Sequence, residues 1–184
     1  MRVIAGSARG LPLDVPKSGV RPTMDRVRAA VFSSLGDAVP GARVLDLFAG
    51  SGAFGIEALS RGAGSARFVE RDPTAVACVR KNLARAKLEG WVEQVDVFRF
   101  LETARGEYDL IFADPPYAKE PGDNNDAALL VAGERVAGLL AETGTLILEC
   151  HPERVPEASS GLDCLRMRRY GGSVVLFLVK RDRP

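Results

Sequence analysis

Cysteine and histidine are scarce in this chain, and each scarcity argues against a class of protein. The three cysteines, Cys78, Cys150 and Cys164, are widely separated and odd in number, with no C-x-x-C pair, and His151 is the single imidazole. That pattern argues against a disulfide scaffold and against a zinc site; small buried thiols in a reducing compartment are expected, and no metal. His151, between Cys150 and Pro152 at the end of an expected strand, reads as a structural loop residue. No apolar run approaches the roughly 20 residues that a membrane span requires. Met1 to Gly10 carries Arg2 and Arg9 without an apolar core ahead of a cleavage site, so no secretory leader is expected and a cytoplasmic location is the default. An excess of one charge is missing too. Twenty-five Lys and Arg offset 24 Asp and Glu to a net +1, so the chain lacks the overall basic excess of many nucleic-acid binders. The distribution is uneven instead: Arg2, Arg9, Lys17, Arg21, Arg26 and Arg28 crowd the first segment, and Arg166, Arg168, Arg169, Lys180, Arg181 and Arg183 the last, each consistent with phosphate binding or with a solvated surface.

What is present is the patterning of one ordinary domain, expected over residues 1–184 with an arm or short β-hairpin over 1–20 and a catalytic core over 21–184. Val3 to Gly6 and Leu11 to Val15 suggest the two legs of that hairpin. Val27, Val31 and Leu35 recur at helical spacing behind Thr23, a candidate N-cap, with Gly36 as a stop. Strands are then expected at Arg43 to Phe48, Ala66 to Glu70, Trp91 to Val95, Leu110 to Ala113, Thr145 to Cys150, Leu162 to Arg169 and Val174 to Val179. Helices are expected at Gly52 to Arg61, Pro73 to Glu89, Phe98 to Thr103 and Ala127 to Leu140. Strands alternating with helices imply an α/β fold with a doubly wound, mostly parallel sheet. The last two strands are separated only by Gly171-Gly172, too short for a parallel crossover, and must form a C-terminal antiparallel hairpin. This is the pattern of a Rossmann-like class I methyltransferase fold.

The strongest local signal is Val44 to Gly55, a buried strand running into a glycine-rich turn and then a helix, where a ligand can approach the backbone. Gly50 to Gly55 reads literally as G-x-G-x-x-G with Glu70 about 20 residues on, and that spacing alone does not separate a nicotinamide dinucleotide from S-adenosylmethionine. Asp46, just ahead of the loop, suits a cofactor with a cationic amino-acid end better than a pyrophosphate. Glu70 can accept both ribose hydroxyls, and Asp96, after the third strand, can accept from an adenine amino group. Asp46, Phe48, Gly50, Gly52, Glu70 and Asp96 are therefore expected to hold S-adenosyl-L-methionine.

Asp114-Pro115-Pro116-Tyr117 follows the apolar run Leu110 to Ala113 and falls at the C-terminal end of the fourth strand, beside the glycine loop. An exocyclic amine on a base is a poor nucleophile because its lone pair is delocalised into the ring. Accepting hydrogen bonds from both amino hydrogens favours a pyramidal, reactive nitrogen. The Asp114 carboxylate and the Pro115 carbonyl can supply the two acceptors, Pro116 can fix the turn, and Tyr117 can stack on the base. These residues leave guanine, adenine and cytosine open as targets.

Together with Arg2 to Gly6, Arg9-Gly10, Arg21 to Arg28, Leu45 to Gly62, Phe68 to Glu70 and Arg169 to Gly171, these motifs make the chain resemble the bacterial 16S ribosomal RNA guanine-N2 methyltransferases of the RsmD type, nearly end to end. The resemblance implies methyl transfer from S-adenosyl-L-methionine to N2 of a guanine in 16S ribosomal RNA, with the substrate met in a small-subunit particle and no membrane or metal involved. It also implies that the segment from Arg21 to Arg28 lies over cofactor and base and that the arm touches the RNA. Arg2, Arg9, Arg21, Thr23, Arg26 and Arg28 are expected to form a basic substrate-binding rim, separable from the pocket. Residues 121–126 depart from the family as a polar loop of their own. A DNA adenine-N6 or cytosine-N4 methyltransferase would share the Asp-Pro-Pro-Tyr chemistry but usually needs an added recognition region, and an NAD-dependent oxidoreductase leaves that motif unexplained.

Overall fold

A computed structural model describes residues 1–16, 24–116, 125–157 and 161–181. Arg43–Leu47 (β1), Ser65–Glu70 (β2), Trp91–Gln94 (β3), Tyr108–Ala113 (β4), Leu140–Cys150 (β5), Leu162–Tyr170 (β6) and Ser173–Lys180 (β7) form one sheet in the order β3-β2-β1-β4-β5-β7-β6. The first five strands are mutually parallel, and β7 runs antiparallel to both β5 and β6. The order reverses between β1 and β4, where the crossovers leave opposite faces of the sheet and open a crevice at the strands' C-terminal ends.

Helices cover both faces, which explains why β1 is buried at four successive positions rather than at alternate ones. On one face Met24–Leu35 (α1), Ala53–Ser60 (α2) and Pro73–Ala86 (α3) close over Val44, Phe68, Leu110, Phe112, Val175 and Phe177. On the other, Val97–Thr103 (α4), Asp126–Ala132 (α5) and Glu134–Leu139 (α6) cover Leu45, Leu47, Val69, Ile111, Leu146 and Leu148.

The sequence spacing predicts one helix from Ala127 to Leu140, but two short helices stand there. Gly133 is extended, with φ −86° and ψ 137°, and breaks the run, while Leu140 already pairs with Tyr108 as the first residue of β5. The helix expected to reach Glu89 stops at Ala86 because Lys87 turns left-handed, with φ 54°, and its N–H closes the last turn on Leu83 and Ala84. The expected Thr23 cap lies outside the described residues. Asp72 and Asp96 do cap α3 and α4: Asp72 accepts from the Ala75 N–H, and Asp96 from those of Phe98 and Arg99.

The first sixteen residues fold back on themselves, with Arg2 bridged to Pro12 in antiparallel sense. They are bonded into the body of the protein. The Glu57 carboxylate on α2, wholly buried, accepts from the Ile4 and Ala5 N–H groups at 2.7 and 3.0 Å and from Arg61 Nε at 2.7 Å. Ser60, at the C-terminal end of α2, accepts from the Ala8 N–H and donates to the Ala5 carbonyl, while its own carbonyl takes the Ser7 N–H. Val3 and Leu13 are core residues.

Candidate active site

At the crevice the residues from β1, β2 and β4 and the loop after β3 converge on a cleft of about 440 Å³ lined by Asp46, Phe48, Gly50, Glu70, Asp96 and Asp114, with Pro116 at its edge. Volumes of this size hold small-molecule cofactors. Each strand delivers one acid because each ends there: Leu47 pairs with Ala113 and with Val69, so Asp114 and Glu70 emerge beside the glycine loop.

The loop itself is shaped by three glycines with different tasks. Gly50 and Gly52 take left-handed φ of 56° and 76°. A Cβ on Gly50 would meet only the Phe48 carbonyl, at 3.9 Å, so its bare face is open to the cleft, whereas one on Gly52 would press on Val79 at 3.0 Å. Gly52 is accordingly buried and does not line the cleft, in contrast to its expected place among the cofactor contacts. A Cβ on Gly55 would sit 2.3 Å from the Phe68 ring, so the third glycine lets α2 pack on β2. Phe48 also holds a positive φ, 58°, which a bulky residue adopts at a cost on the order of 1–2 kcal/mol. That strain turns the chain from β1 into the loop, and its ring meets Phe98 edge-on.

The acids differ in what they are free to do. Asp46 is 3 % exposed, accepts from the Gly55 N–H at 2.9 Å, and has no cation beside it among the described residues. Burial, reinforced by the charge of Glu70 and only partly offset by the Gly55 N–H, pushes its carboxyl up to about 7. Glu70 accepts from the Gly50 N–H at 2.9 Å through one oxygen and from the Asp72 N–H at 2.8 Å through the other, holding the loop in place. Each carboxylate oxygen still has a lone pair for a ligand hydroxyl. Asp96 spends one oxygen on the α4 cap, and its other lies 3.6 Å from Arg71. Asp96 is therefore a helix cap as well as a lining residue of the cleft.

Among the described residues five carboxylates line the cleft, those of Asp46, Glu70, Asp72, Asp96 and Asp114, against the single guanidinium of Arg71. That balance repels a pyrophosphate and suits a ligand carrying positive charge. Of the lining residues, Pro16, Ala49, Phe54, Arg71, Asp72, Ala75 and Val97 were not among the expected contacts. The glycine-loop motif marks Ala49 and Phe54, and the Asp72-Pro73 helix start marks Asp72.

Asp114 lies half-buried on the cleft wall and Pro116 is exposed at its mouth. Pro115 is buried and lines a small neighbouring hollow with Asn125, Cys150, His151 and Arg154. There His151 accepts the Glu153 N–H on Nδ1, as a loop-shaping residue would. Tyr117 and the loop from 121 to 124 lie outside the described residues, as do Arg21 and Thr23. Among the described residues no group of three His, Cys, Asp or Glu could hold a metal, and no helix is long and apolar enough to cross a membrane.

The expected basic rim does not survive as drawn. Arg28 is 1 % exposed and donates to Asp25 and to the Arg2 carbonyl, with Nε 3.7 Å from Glu57, so it ties α1 to the arm and α2 instead of facing RNA. Arg9 is exposed but sits on the turn that packs against Ser60, at the end of the eight-residue α2 remote from the glycine loop, roughly 12 Å along the helix axis. Arg2 and Arg26 are exposed, and none of these arginines lines the cleft.

The comparisons with known proteins agree with this geometry. The model of the family described as Conserved hypothetical protein 95 matches residues 1–179. The chain is 41 % identical over 190 residues to ribosomal RNA small subunit methyltransferase D of Escherichia coli K12, covering 99 % of this chain and 90 % of that one. Among solved structures, a hypothetical protein of Thermus thermophilus superposes with a TM-score of 0.83 at 34 % identity, covering 98 % of this chain and 99 % of that one. The T. thermophilus 16S rRNA N2 methyltransferase RsmC, solved with AdoMet and guanosine, superposes with a TM-score of 0.70 at 26 % identity over 90 % of this chain and 44 % of that one. The fold is that of the class I methyltransferases.

Proposed function

This chain belongs to the Conserved hypothetical protein 95 family, the RsmD family, and from that membership we propose that it transfers a methyl group from S-adenosyl-L-methionine to N2 of a guanine in 16S ribosomal RNA. The observation that carries the reading is the acidic, glycine-floored cleft with Asp114 on its wall. Its fit to the donor can be judged from the side chains: Asp46 is a buried carboxylate with no counter-ion among the described residues, which a cationic amino-acid end supplies, and Glu70 retains acceptor capacity for ribose hydroxyls. Asp46, Phe48, Gly50, Glu70 and Asp96 would hold the cofactor, which when bound supplies an electrophilic methyl on a sulfonium. A dinucleotide would instead set two phosphates among five carboxylates.

Asp114 then accepts a hydrogen bond from the target amine, and the Pro115 carbonyl takes the second amino hydrogen, raising the nitrogen's nucleophilicity before it attacks. The nitrogen gains the methyl and sheds one proton, which can pass to the Asp114 carboxylate or to water. Pro116 stiffens the turn, and Tyr117 stacks on the base. Arg2, Arg21, Thr23 and Arg26 are assigned to the RNA; guanine as the base follows from the resemblance to the RsmD type and from RsmC, a relative in fold solved with guanosine.

Incubating the protein with labelled S-adenosylmethionine and, separately, 16S rRNA, small-subunit particles and DNA, then identifying the modified nucleoside, tests this directly. N2-methylguanosine in rRNA is expected, and a product on adenine, on cytosine or in DNA overturns it. Asp114→Ala should lower single-turnover methyl transfer by a factor on the order of a hundred or more with S-adenosylhomocysteine affinity nearly unchanged. Near-normal turnover would remove Asp114 from the mechanism.

A further inference from the structure

The second arginine cluster of the sequence falls on β6, the edge strand, and the cleft accounts for none of it. Arg166, Arg168 and Arg169 are all exposed, and none is in an ion pair among the described residues. The strand carries two exposed apolar residues as well, Leu165 at 69 % and Met167 at 52 %. Unpaired backbone beside exposed apolar side chains is a template for aggregation unless something covers it.

Register places this strand relative to the chemistry. Ala113 pairs with Leu148, Leu148 with Leu176, and Leu176 with Met167. The next row outward holds Glu149, Val175 and Arg168, level with Asp114 as it leaves β4. Three inter-strand spacings, about 14 Å, separate β4 from β6. Arg166 and Arg168 pair with Phe177 and Val175, whose side chains lie on the α1 face, and the Arg166 guanidinium stands 5.9 Å from the Phe177 ring centre. Arg169 pairs with Val174, on the opposite face. The cleft is lined from the β1, β2 and β3 side of Asp114, and β5, β7 and β6 follow in order on its other side.

We infer that β6 is a phosphate rail, on which Arg166, Arg168 and Arg169 grip the backbone of the substrate RNA within a few nucleotides of the target base. The inference rests on the rRNA methyltransferase reading above and moves the main electrostatic grip from the N-terminal arm to the C-terminal edge strand. Charge selects the occupant: three guanidiniums with no ion pair among the described residues, on both faces of one strand around the row of Arg168, repel a second copy of the same edge and attract a polyanion. The irregularity between Cys164 and Arg166 interrupts the ladder there, which further disfavours strand addition by a protein partner.

The test is binding of the full-length protein to whichever of 16S rRNA or small-subunit particles the wild type methylates, measured from roughly 50 to 300 mM KCl. The combined substitution Arg166→Gln, Arg168→Gln and Arg169→Gln should weaken affinity about a hundredfold at about 0.1 M salt and lower the slope of log affinity against log salt by about 2, at roughly 0.7 per lost contact. S-adenosylhomocysteine affinity should stay within about twofold, showing that the fold is intact. Lysine at all three positions should restore most of the slope. Wild-type methylation together with an unchanged slope in the glutamine variant overturns the rail alone. So does a glutamine variant that self-associates in sedimentation while keeping its RNA affinity, because the arginines would then only guard the sheet edge. A wild type that neither binds nor methylates any RNA overturns the methyltransferase reading along with the rail.

Discussion

Replacing Asp46 with asparagine should stabilise the empty protein above neutral pH while weakening its hold on the cofactor. The ordinary carboxyl value of 3.8 rises to about 7 at Asp46, chiefly through burial. Between those two values the folded protein keeps a proton that the unfolded chain has lost, so stability falls as pH rises through that window, and the whole penalty is present above about pH 7. At 1.36 kcal/mol per unit, the ceiling on that penalty is on the order of 4 kcal/mol. Asparagine keeps an oxygen for the Gly55 N–H, which Asp46 holds at 2.9 Å, and removes the titration. Urea unfolding at a series of pH values from about 5 to 8 should therefore give a descending curve for the wild type and a flatter one for Asp46→Asn, the two converging on the acid side.

Cofactor binding should show the converse. A cationic amino-acid end beside Asp46 restores the favoured charged state, so S-adenosylhomocysteine should release close to one proton per site at about pH 6 and almost none at about pH 8. Calorimetry in buffers of differing ionisation enthalpy measures that number. The variant should release none and bind at least tenfold more weakly. A wild type whose stability does not vary across this range, or a variant destabilised equally at every pH, would refute the reasoning, since Asp46 would then be ordinarily ionised and purely structural.

Two other substitutions address the arm. Arg28→Met should destabilise the fold by about 3 kcal/mol, because it strips one cation from the wholly buried Glu57 and releases the Arg2 carbonyl; the salt slope of RNA binding should not change, and a slope reduced by a full unit would return Arg28 to the RNA-facing rim. Gly6→Ala, at φ +84° and with a new Cβ 1.7 Å from the Ser60 carbonyl oxygen, should cost about 3 kcal/mol or more in urea unfolding, and a loss under about 1 kcal/mol would mean the arm is not docked on α2 in solution.

The sheet was legible because its parallel strands are buried on both faces and stand out as short apolar runs, and because Gly171-Gly172 permits only a hairpin between β6 and β7. That Asp46, Glu70, Asp96 and Asp114 meet at one cleft was legible for a related reason: each lies near the end of a strand or in the turn after it, and a doubly wound sheet brings its C-terminal ends together. The helix break at Gly133 was not, since the apolar spacing continues through it and only the pairing of Leu140 with Tyr108 decides where the strand begins. The packing of Gly52 and Gly55 was not legible for want of a neighbour: the motif marks three equivalent glycines, whereas Val79 and Phe68, from other elements, press on two of them. Arginine clustering was the weakest guide, because a guanidinium that reaches phosphate and one that neutralises a buried carboxylate have the same spelling. Arg28 and Glu57 belong to different helices, and nothing local announces the pair.

That pairing changes what the arm is. Its turn is bound to α2 through Glu57 and Ser60, and its return leg reaches the cofactor loop itself. Asn82, buried on α3, donates from Nδ2 to the Asp14 carbonyl and to the Ser51 carbonyl, both at 2.9 Å, and accepts the Asp14 N–H on its own oxygen. Arg85 and Lys81 grip the Asp14 side chain and hold its carboxyl at about 2. Two residues further on, Pro16 lines the cleft. The arm is thus joined by one amide to the loop between Gly50 and Gly52, and removing it would strip the Glu57 carboxylate and the Asn82 amide of hydrogen bonds inside the protein, each a cost of about 1–3 kcal/mol or more. Arm and pocket, separable on the sequence, form one structural unit. The exposed edge at β6 offers an RNA grip that can vary without disturbing the cofactor site, since Arg166, Arg168 and Arg169 have no carboxylate partner to lose among the described residues.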